Sequence, residues 1–335
     1  MISWAAPAKT AVYNIGAIKV ANWTGMLKVI QPAQAATVAG DVKDRIMSFM
    51  RGTSTEITPT EENRLPELAT ILSPGTPVYV AHTPTASFAD VIRAALALRR
   101  VGLLATPHIA VRRVPNAAVL RAALAELRSG GVEHILLIAG DAARPVGEFT
   151  STLDVLRSGI LQECGISRIG VAGHPGGHSA VAADALWDAL QSKQAIAARA
   201  ALCMHIVTQF GLDGGAFRVW QRELMQRGIH LPVRMGIAGP ASISRLAHFA
   251  IQCGIGASSR VLLRNLSAAG RTSGLAVTPD QHLLGLADMA VPAQVLGPHF
   301  FAFGGAVETA RWIRKIASGA FSIDAKSGKF RIKAG

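Results

Sequence analysis

HILLIAGD, residues 134–141, is an apolar run of strand length that breaks on a glycine and then on an aspartate. Its aliphatic core, Ile135 to Ile138, shows no alternation of apolar and polar residues, as expected of a strand covered on both faces. Five other runs carry a polar residue at or near their end: TSTEIT (53–58), VYVAH (78–82), LLATPHIAV (103–111), RIGVAGH (168–174) and MHIVTQ (204–209). Those residues are Glu56, His82, His108, His174 and Gln209, which join Asp141. PVRMGIAG (232–239) and HFFAFG (299–304) bring the strands to eight. Strands separated by helix-length segments form a parallel sheet, and eight of them predict a closed (β/α)8 TIM barrel. Active sites of such barrels lie at the C-terminal ends of the strands, so each polar end is a candidate site residue.

The intervening segments read as helices. ASFADVIRAALALRRVG places Phe88, Val91, Ile92, Ala95 and Leu96 on one face, with Gly102 as the stop. NAAVLRAALAELRSGG repeats the pattern and breaks at Gly130 and Gly131. Residues 149–164, 180–201 and AFRVWQRELMQRG continue the alternation, and Thr60 offers a cap after the first strand. About sixty residues separate strands seven and eight, room for two extra helices beginning with ASISRLAHFAIQCG. AVETARWIRKIASG closes the barrel as an amphipathic helix. The expected organisation is an N-terminal extension over residues 1–50 packing on the barrel, a barrel over 51–320 and a tail over 321–335.

Half of the 335 residues are hydrophobic and 16% are charged, a composition for a large core and not for a disordered chain. Mean hydropathy is +0.32, yet no apolar stretch reaches the ~18 residues of a membrane span. The net charge of +13 is spread over scattered residues such as Arg112, Arg113, Arg218 and Arg311. Without a Lys/Arg block, this favours a basic surface for phosphorylated or polycarboxylate ligands over a nucleic-acid groove. Cys164, Cys203 and Cys253 form no CxxC pair, the odd number argues against a disulfide framework, and no metal-ligand spacing is present. These features predict a cytoplasmic protein with reduced thiols, no membrane or nucleic-acid partner, and an oligomeric state left open. The first forty residues hold Lys9, Lys19 and Lys28 but no acidic residue; an extension is expected there in preference to a cleaved targeting peptide.

STEITPTEE, then AVRR after PHI, LLIAGD, VAGHPGGH, VTQF and the GIAGP strand resemble, in order and spacing, the methylenetetrahydrofolate reductase family. The resemblance covers residues 53 to about 240, with HFFAFGG similar to the family's last strand. It implies reduction of 5,10-methylenetetrahydrofolate to 5-methyltetrahydrofolate, with NADH or NADPH as hydride donor and bound FAD as carrier. Glu56 matches the family's general acid, and Asp141 a carboxylate beside flavin and pterin. Gln209 matches a substrate-binding amide, able to donate and accept along a pterin edge. His108, Gly140, His174 and His178 match flavin-contacting positions, and Lys193 a phosphate-binding lysine. For each residue a plainer reading stays open: a helix cap for Glu56 or Asp141, a core histidine for His108, a turn for the glycine-rich loop.

Three departures concern the flavin. Ala81 stands where the family usually has Thr, Ala139 replaces the arginine of the common RGD, and Ala189 replaces a polar residue near Lys193. Each lost polar contact is worth roughly 1 kcal/mol, and more if charge-assisted. The folate positions are therefore intact while the flavin positions are eroded. That pattern leaves two alternatives beside the flavoenzyme: direct hydride transfer from NADH to the folate, or a folate-binding barrel without turnover.

Overall fold

The computed structural model describes residues 42–211, 214–242, 245–246, 276–287, 294–324, 326 and 328–332. Eight parallel strands close a barrel. They are β1 (Ser54–Ile57), β2 (Pro77–Val80), β3 (Leu104–Ala110), β4 (His134–Ile138), β5 (Arg168–Gly173), β6 (Cys203–Thr208), β7 (Val233–Ala238) and β10 (Val295–Phe301). Their order around the barrel is β1-β10-β7-β6-β5-β4-β3-β2. A two-residue antiparallel pair, β8 (Ala241–Ser242) with β9 (Ala276–Val277), lies outside the barrel. The TIM barrel read from the sequence is the fold.

Each strand presents alternate residues outward. Ile109, Ile135, Leu137, Val171, Ile206 and Phe300 lie in one apolar cluster with helical residues such as Val91, Ile92, Leu98, Leu120 and Leu124. Burying an aliphatic side chain of this kind contributes about 1.5–3 kcal/mol, so the strand–helix shell carries the stability. Helix Phe88–Arg100 starts on Ser87, whose hydroxyl accepts from the Asp90 backbone N–H while Asp90 bonds back to the Ser87 N–H. Gly102 then ends it at φ +85°.

The inward face is largely polar, with a small apolar cluster of Leu136 and Val207 against Tyr79. Ser54 and Glu56 of β1, Tyr79 of β2, His108 of β3, His134 of β4, His205 of β6, Arg234 of β7 and His299 of β10 are all buried. Barrel interiors are ordinarily filled with branched apolar side chains. Here the Tyr79 hydroxyl and His205 Nε2 are 3.0 Å apart. Arg234 donates through Nη1 to the Gly52 carbonyl (2.7 Å) and the Ser54 hydroxyl (3.3 Å). Gly170 leaves the space this requires: a Cβ there would stand 2.8 Å from Leu136 Cδ1 and 3.1 Å from His205 Nε2.

Several local expectations are corrected. The first cap is Thr58, not Thr60, because Pro59 opens a 3-10 turn over Pro59–Arg64 and Glu61 completes a capping box with Thr58. The last barrel strand runs from Val295 to Phe301, so only the first three residues of HFFAFG belong to it. Residues 149–164 form two short helices, Thr152–Arg157 and Ile160–Glu163, split by Gly159 at φ +80°. Within the expected tail, β11 (Phe321–Ile323) and β12 (Phe330–Ile332) pair antiparallel.

Helix Val42–Met50, the described part of the N-terminal segment, packs on helices Asp280–Ala287 and Ala306–Ala317 and on β10. Residues 1–41, Cys253 and most of the helix expected in ASISRLAHFAIQCG lie outside the described residues. Of the long interval between β7 and β10, helix Asp280–Ala287 is described. Among the described residues no helix is long and apolar enough to cross a membrane, and no cluster of three or more His, Cys, Asp or Glu could hold a metal ion. Cys164 and Cys203 are free thiols.

Candidate active site

The C-terminal ends of the strands bring the candidates to one mouth in three groups. The first is built on β1 and β10. Glu56, 7% exposed, is one residue short of the end of β1. Backbone N–H groups of Ala302 and Phe303 bond its carboxylate, which opposes protonation, but desolvation outweighs them. Burial first, and the charge of Glu61 second, push the Glu56 carboxyl up to about 8. Glu61 is held in place by the backbone N–H groups of Thr58 and Ala306, both at 2.9 Å. A carboxyl so placed is an acid that keeps its proton at neutral pH.

Beyond Glu56 stands an aromatic wall. The ring of Phe210 lies 5.3 Å from that of Phe301 and 5.0 Å from that of Phe303. Gln209 precedes Phe210, its backbone N–H bonded to the Gly173 carbonyl (2.8 Å) and its Oε1 accepting from the Phe210 N–H (3.1 Å). The wall therefore runs from the acid toward the amide; Phe210 and Phe303 are buried within it and Phe301 is its half-buried member. Phe210, Phe301 and Phe303 carry no signal of their own in the sequence, although the motifs TQF and HFFAF contain them.

The second group follows β2, β3 and β4. Asp141 lies three residues past β4, after Gly140 at φ +88°; a Cβ on Gly140 would meet Ala110 Cβ at 2.9 Å. Arg113 reaches Asp141 Oδ1 through Nη2 (2.8 Å) and Nε (3.0 Å), and donates through Nη1 to the Thr83 carbonyl (2.8 Å). In the sequence Arg113 is one of many scattered cations; in the structure it belongs to the site. His82 stacks on Phe88 at 6.0 Å and is pushed down to about 4 by burial and then by Arg113, so it is neutral with an unpartnered Nδ1.

His108 departs from expectation in position. It is not at the end of β3, which continues to Ala110, but points into the barrel, its ring 6.0 Å from that of Tyr79. Burial pushes it down to about 3, and Nε2 has no hydrogen-bond partner.

The third group follows β5. His174 and His178 meet edge to face at 5.3 Å. His178 Nδ1 accepts from the Ala180 N–H (3.1 Å), which puts the proton of its neutral ring on Nε2. Lys193, on helix Ala183–Arg199, is buried and, among the described residues, has neither a hydrogen bond nor an acidic partner. Desolvation pushes it down to about 8, and its charge helps to push His174 down to about 4. An uncompensated buried ammonium beside donor-bearing imidazoles fits an anionic group such as a cofactor phosphate. Ala139 and Ala189 add no polar contact to that side.

The family model for methylenetetrahydrofolate reductase matches residues 58–264 of this chain. Among solved structures, the dihydropteroate synthase of Thermus thermophilus aligns with 79% of this chain and 92% of its own, at 14% identity and a TM-score of 0.39. At that score the likeness carries no argument about the site.

Proposed function

The chain belongs to the methylenetetrahydrofolate reductase family, and from that premise we propose that it reduces 5,10-methylenetetrahydrofolate to 5-methyltetrahydrofolate at the expense of NADH or NADPH. The observation that carries this reading is Glu56, a buried carboxyl that retains its proton up to about pH 8 at the barrel mouth. In the proposed reaction Glu56 gives that proton to N10 of the folate. The bond from N10 to the bridging methylene breaks with its electron pair staying on N10, leaving a cationic N5 iminium. A hydride adds to the methylene carbon and forms the N5-methyl group. Glu56 then takes back a proton, so one hydride and one proton enter per turnover.

The other residues have roles consistent with this chemistry. Asp141 supplies negative charge opposite the iminium, the electrostatic stabilisation worth most in a site shielded from water. Gln209 presents its side-chain amide to the pterin edge, and the Phe210–Phe301–Phe303 wall excludes water from the reacting carbon. FAD, when bound, supplies a two-electron carrier between the dinucleotide and the folate. His108, Gly140, Asp141, His174, His178 and Lys193 would hold it, with Lys193 neutralising phosphate charge.

A second reading, direct hydride transfer from NADH without flavin, is favoured by Ala81, Ala139 and Ala189, which remove polar contacts on the flavin side. One assay tests both. Purified protein that is yellow and oxidises NADH in the presence of methylenetetrahydrofolate supports the flavoenzyme, and colourless turnover unaffected by added FAD supports direct transfer. Folate binding without turnover under either condition would overturn both.

A further inference from the structure

His299 of β10 faces Glu56 of β1 inside the barrel. Its Nε2 is buried, has no hydrogen-bond partner, and stands 4.0 Å from Glu56 Oε2. Its Nδ1 lies 3.0 Å from the Ser54 hydroxyl, which already accepts from Arg234 Nη1 at 3.3 Å. The Ser54 hydroxyl hydrogen has an acceptor of its own in the Pro298 carbonyl at 3.4 Å. Directed at the Pro298 carbonyl, that hydrogen would leave Ser54 to receive the Nδ1 proton of His299, and Nε2 as a lone pair facing Glu56. The ring is fixed by Tyr79 at 4.5 Å and Phe301 at 5.0 Å, both edge to face.

We propose that His299 is a positioning residue for Glu56: before the folate binds, its Nε2 accepts the hydrogen of the neutral carboxyl, which the carboxyl then turns toward N10, and Ser54, held by Arg234, sets the tautomer that makes Nε2 an acceptor. This rests on the reading of Glu56 as the acid that protonates the substrate. Catalytic contacts of this kind are commonly longer than an ordinary hydrogen bond before substrate binds. The groups surrounding the pair keep both members uncharged. Glu61, from the turn after β1, disfavours ionisation of Glu56. Burial, with His108 of β3, Arg234 of β7 and His205 of β6, disfavours a proton on His299. Tyr79 of β2 is also neutral, its hydroxyl pushed up by burial. A neutral donor thus meets a neutral acceptor, and no buried charge is left unpaired between them.

The test is infrared difference spectroscopy of the full chain, with Glu56→Gln subtracted to isolate the protonated carboxyl stretch of Glu56. In the wild type that band takes the lower frequency of a hydrogen-bonded acid. In His299→Leu it moves up to that of a free acid, and His299→Gln, whose side-chain carbonyl accepts, restores it. Ser54→Ala moves it in the same upward direction, and serves alone if His299→Leu does not fold. In turnover, His299→Leu lowers kcat about five- to tenfold, the worth of one hydrogen bond, with KM for the folate unchanged. An unmoved band in a folded His299→Leu or Ser54→Ala protein overturns the proposal. Full turnover by Glu56→Gln would instead sink the acid assignment, an outcome the carboxyl band reads separately.

Discussion

Arg113 and Asp141 form an ion pair in which two guanidinium nitrogens, Nη2 at 2.8 Å and Nε at 3.0 Å, converge on the single oxygen Oδ1. The third contact, from Nη1 to the Thr83 carbonyl, ties the loops after β2, β3 and β4 together. The pair therefore sets where the Asp141 carboxylate stands. Its side chains are 18% and 35% exposed, so its contribution to stability is that of a partly solvated pair, below about 1 kcal/mol. Arg113→Ala is expected to leave the thermal midpoint within a few degrees of the wild type while lowering kcat/KM for the folate at least tenfold. Parallel thermal denaturation and steady-state kinetics check this; a proportionate loss of both would mean that Arg113 serves the fold alone.

Glu56→Gln removes the proton donor but keeps the shape. The expected loss in kcat is on the order of 10²–10⁴-fold, the usual worth of a general acid. Stability moves the other way. The folded-state value of Glu56, about 8, exceeds its ordinary 4.5, so the native protein binds more protons across that window and loses stability as pH rises from 4.5 to about 8. Glu56→Gln escapes this loss. Denaturant unfolding at pH 9 should find the variant more stable than the wild type by a few kcal/mol, with little difference at pH 4.5.

Histidines impose the opposite dependence at the acid end. His82, His134 and His174 are held at about 4 and His108 at about 3, while His205 and His299 are pushed further down, all chiefly by burial. Each is neutral when folded and protonates near its ordinary 6.5 when unfolded, so unfolding takes up protons below that pH. The histidine contribution to stability should be full above pH 6.5 and be lost steeply toward pH 4. Urea midpoints measured between pH 7 and 4 give the slope, and the double variant His134→Gln/His205→Gln should flatten it. An unchanged slope would mean that these two rings do not titrate on unfolding.

Lys193 is charged below about pH 8 without a counter-charge among the described residues. Lys193→Met keeps the apolar stem and removes that cost, so below pH 8 the ligand-free variant should be more stable than the wild type by roughly 1–3 kcal/mol. Its affinity for FAD or for the dinucleotide should fall about tenfold or more, since a phosphate loses its cation. Fluorescence titration of flavin and of NADH separates the two ligands. Unchanged affinity for both would remove Lys193 from the phosphate site.

The fold is legible in the sequence because covered strands write themselves as short apolar runs with helix-length gaps, and the closure of eight such runs follows from their number. Glu56, Asp141 and Gln209 are legible as polar interruptions of those runs. The inward face is not. His205, Arg234 and His299 also interrupt apolar runs, but they lie within the strands instead of at their ends, and nothing in a linear pattern tells which of two faces is wet, dry or ligand-bearing. Arg113 is visible within AVRR, but its pairing with Asp141 is hidden for another reason. A cation on a surface loop and one clamped to a site carboxylate have the same sequence context, and only the meeting of three loops distinguishes them.

The hydrogen bond between Tyr79 and His205 has a consequence for assembly. β2 and β6 stand opposite each other in the closed order, so that bond spans the diameter of the barrel, and the contacts of Arg234 with Gly52 and Ser54 form a second strut from β7 to the start of β1. A slip of one residue in any of these strands would turn Tyr79, His205 or Arg234 out among the apolar helices. Ring closure and strand register thus depend on the same few polar side chains, which link opposite walls of the barrel.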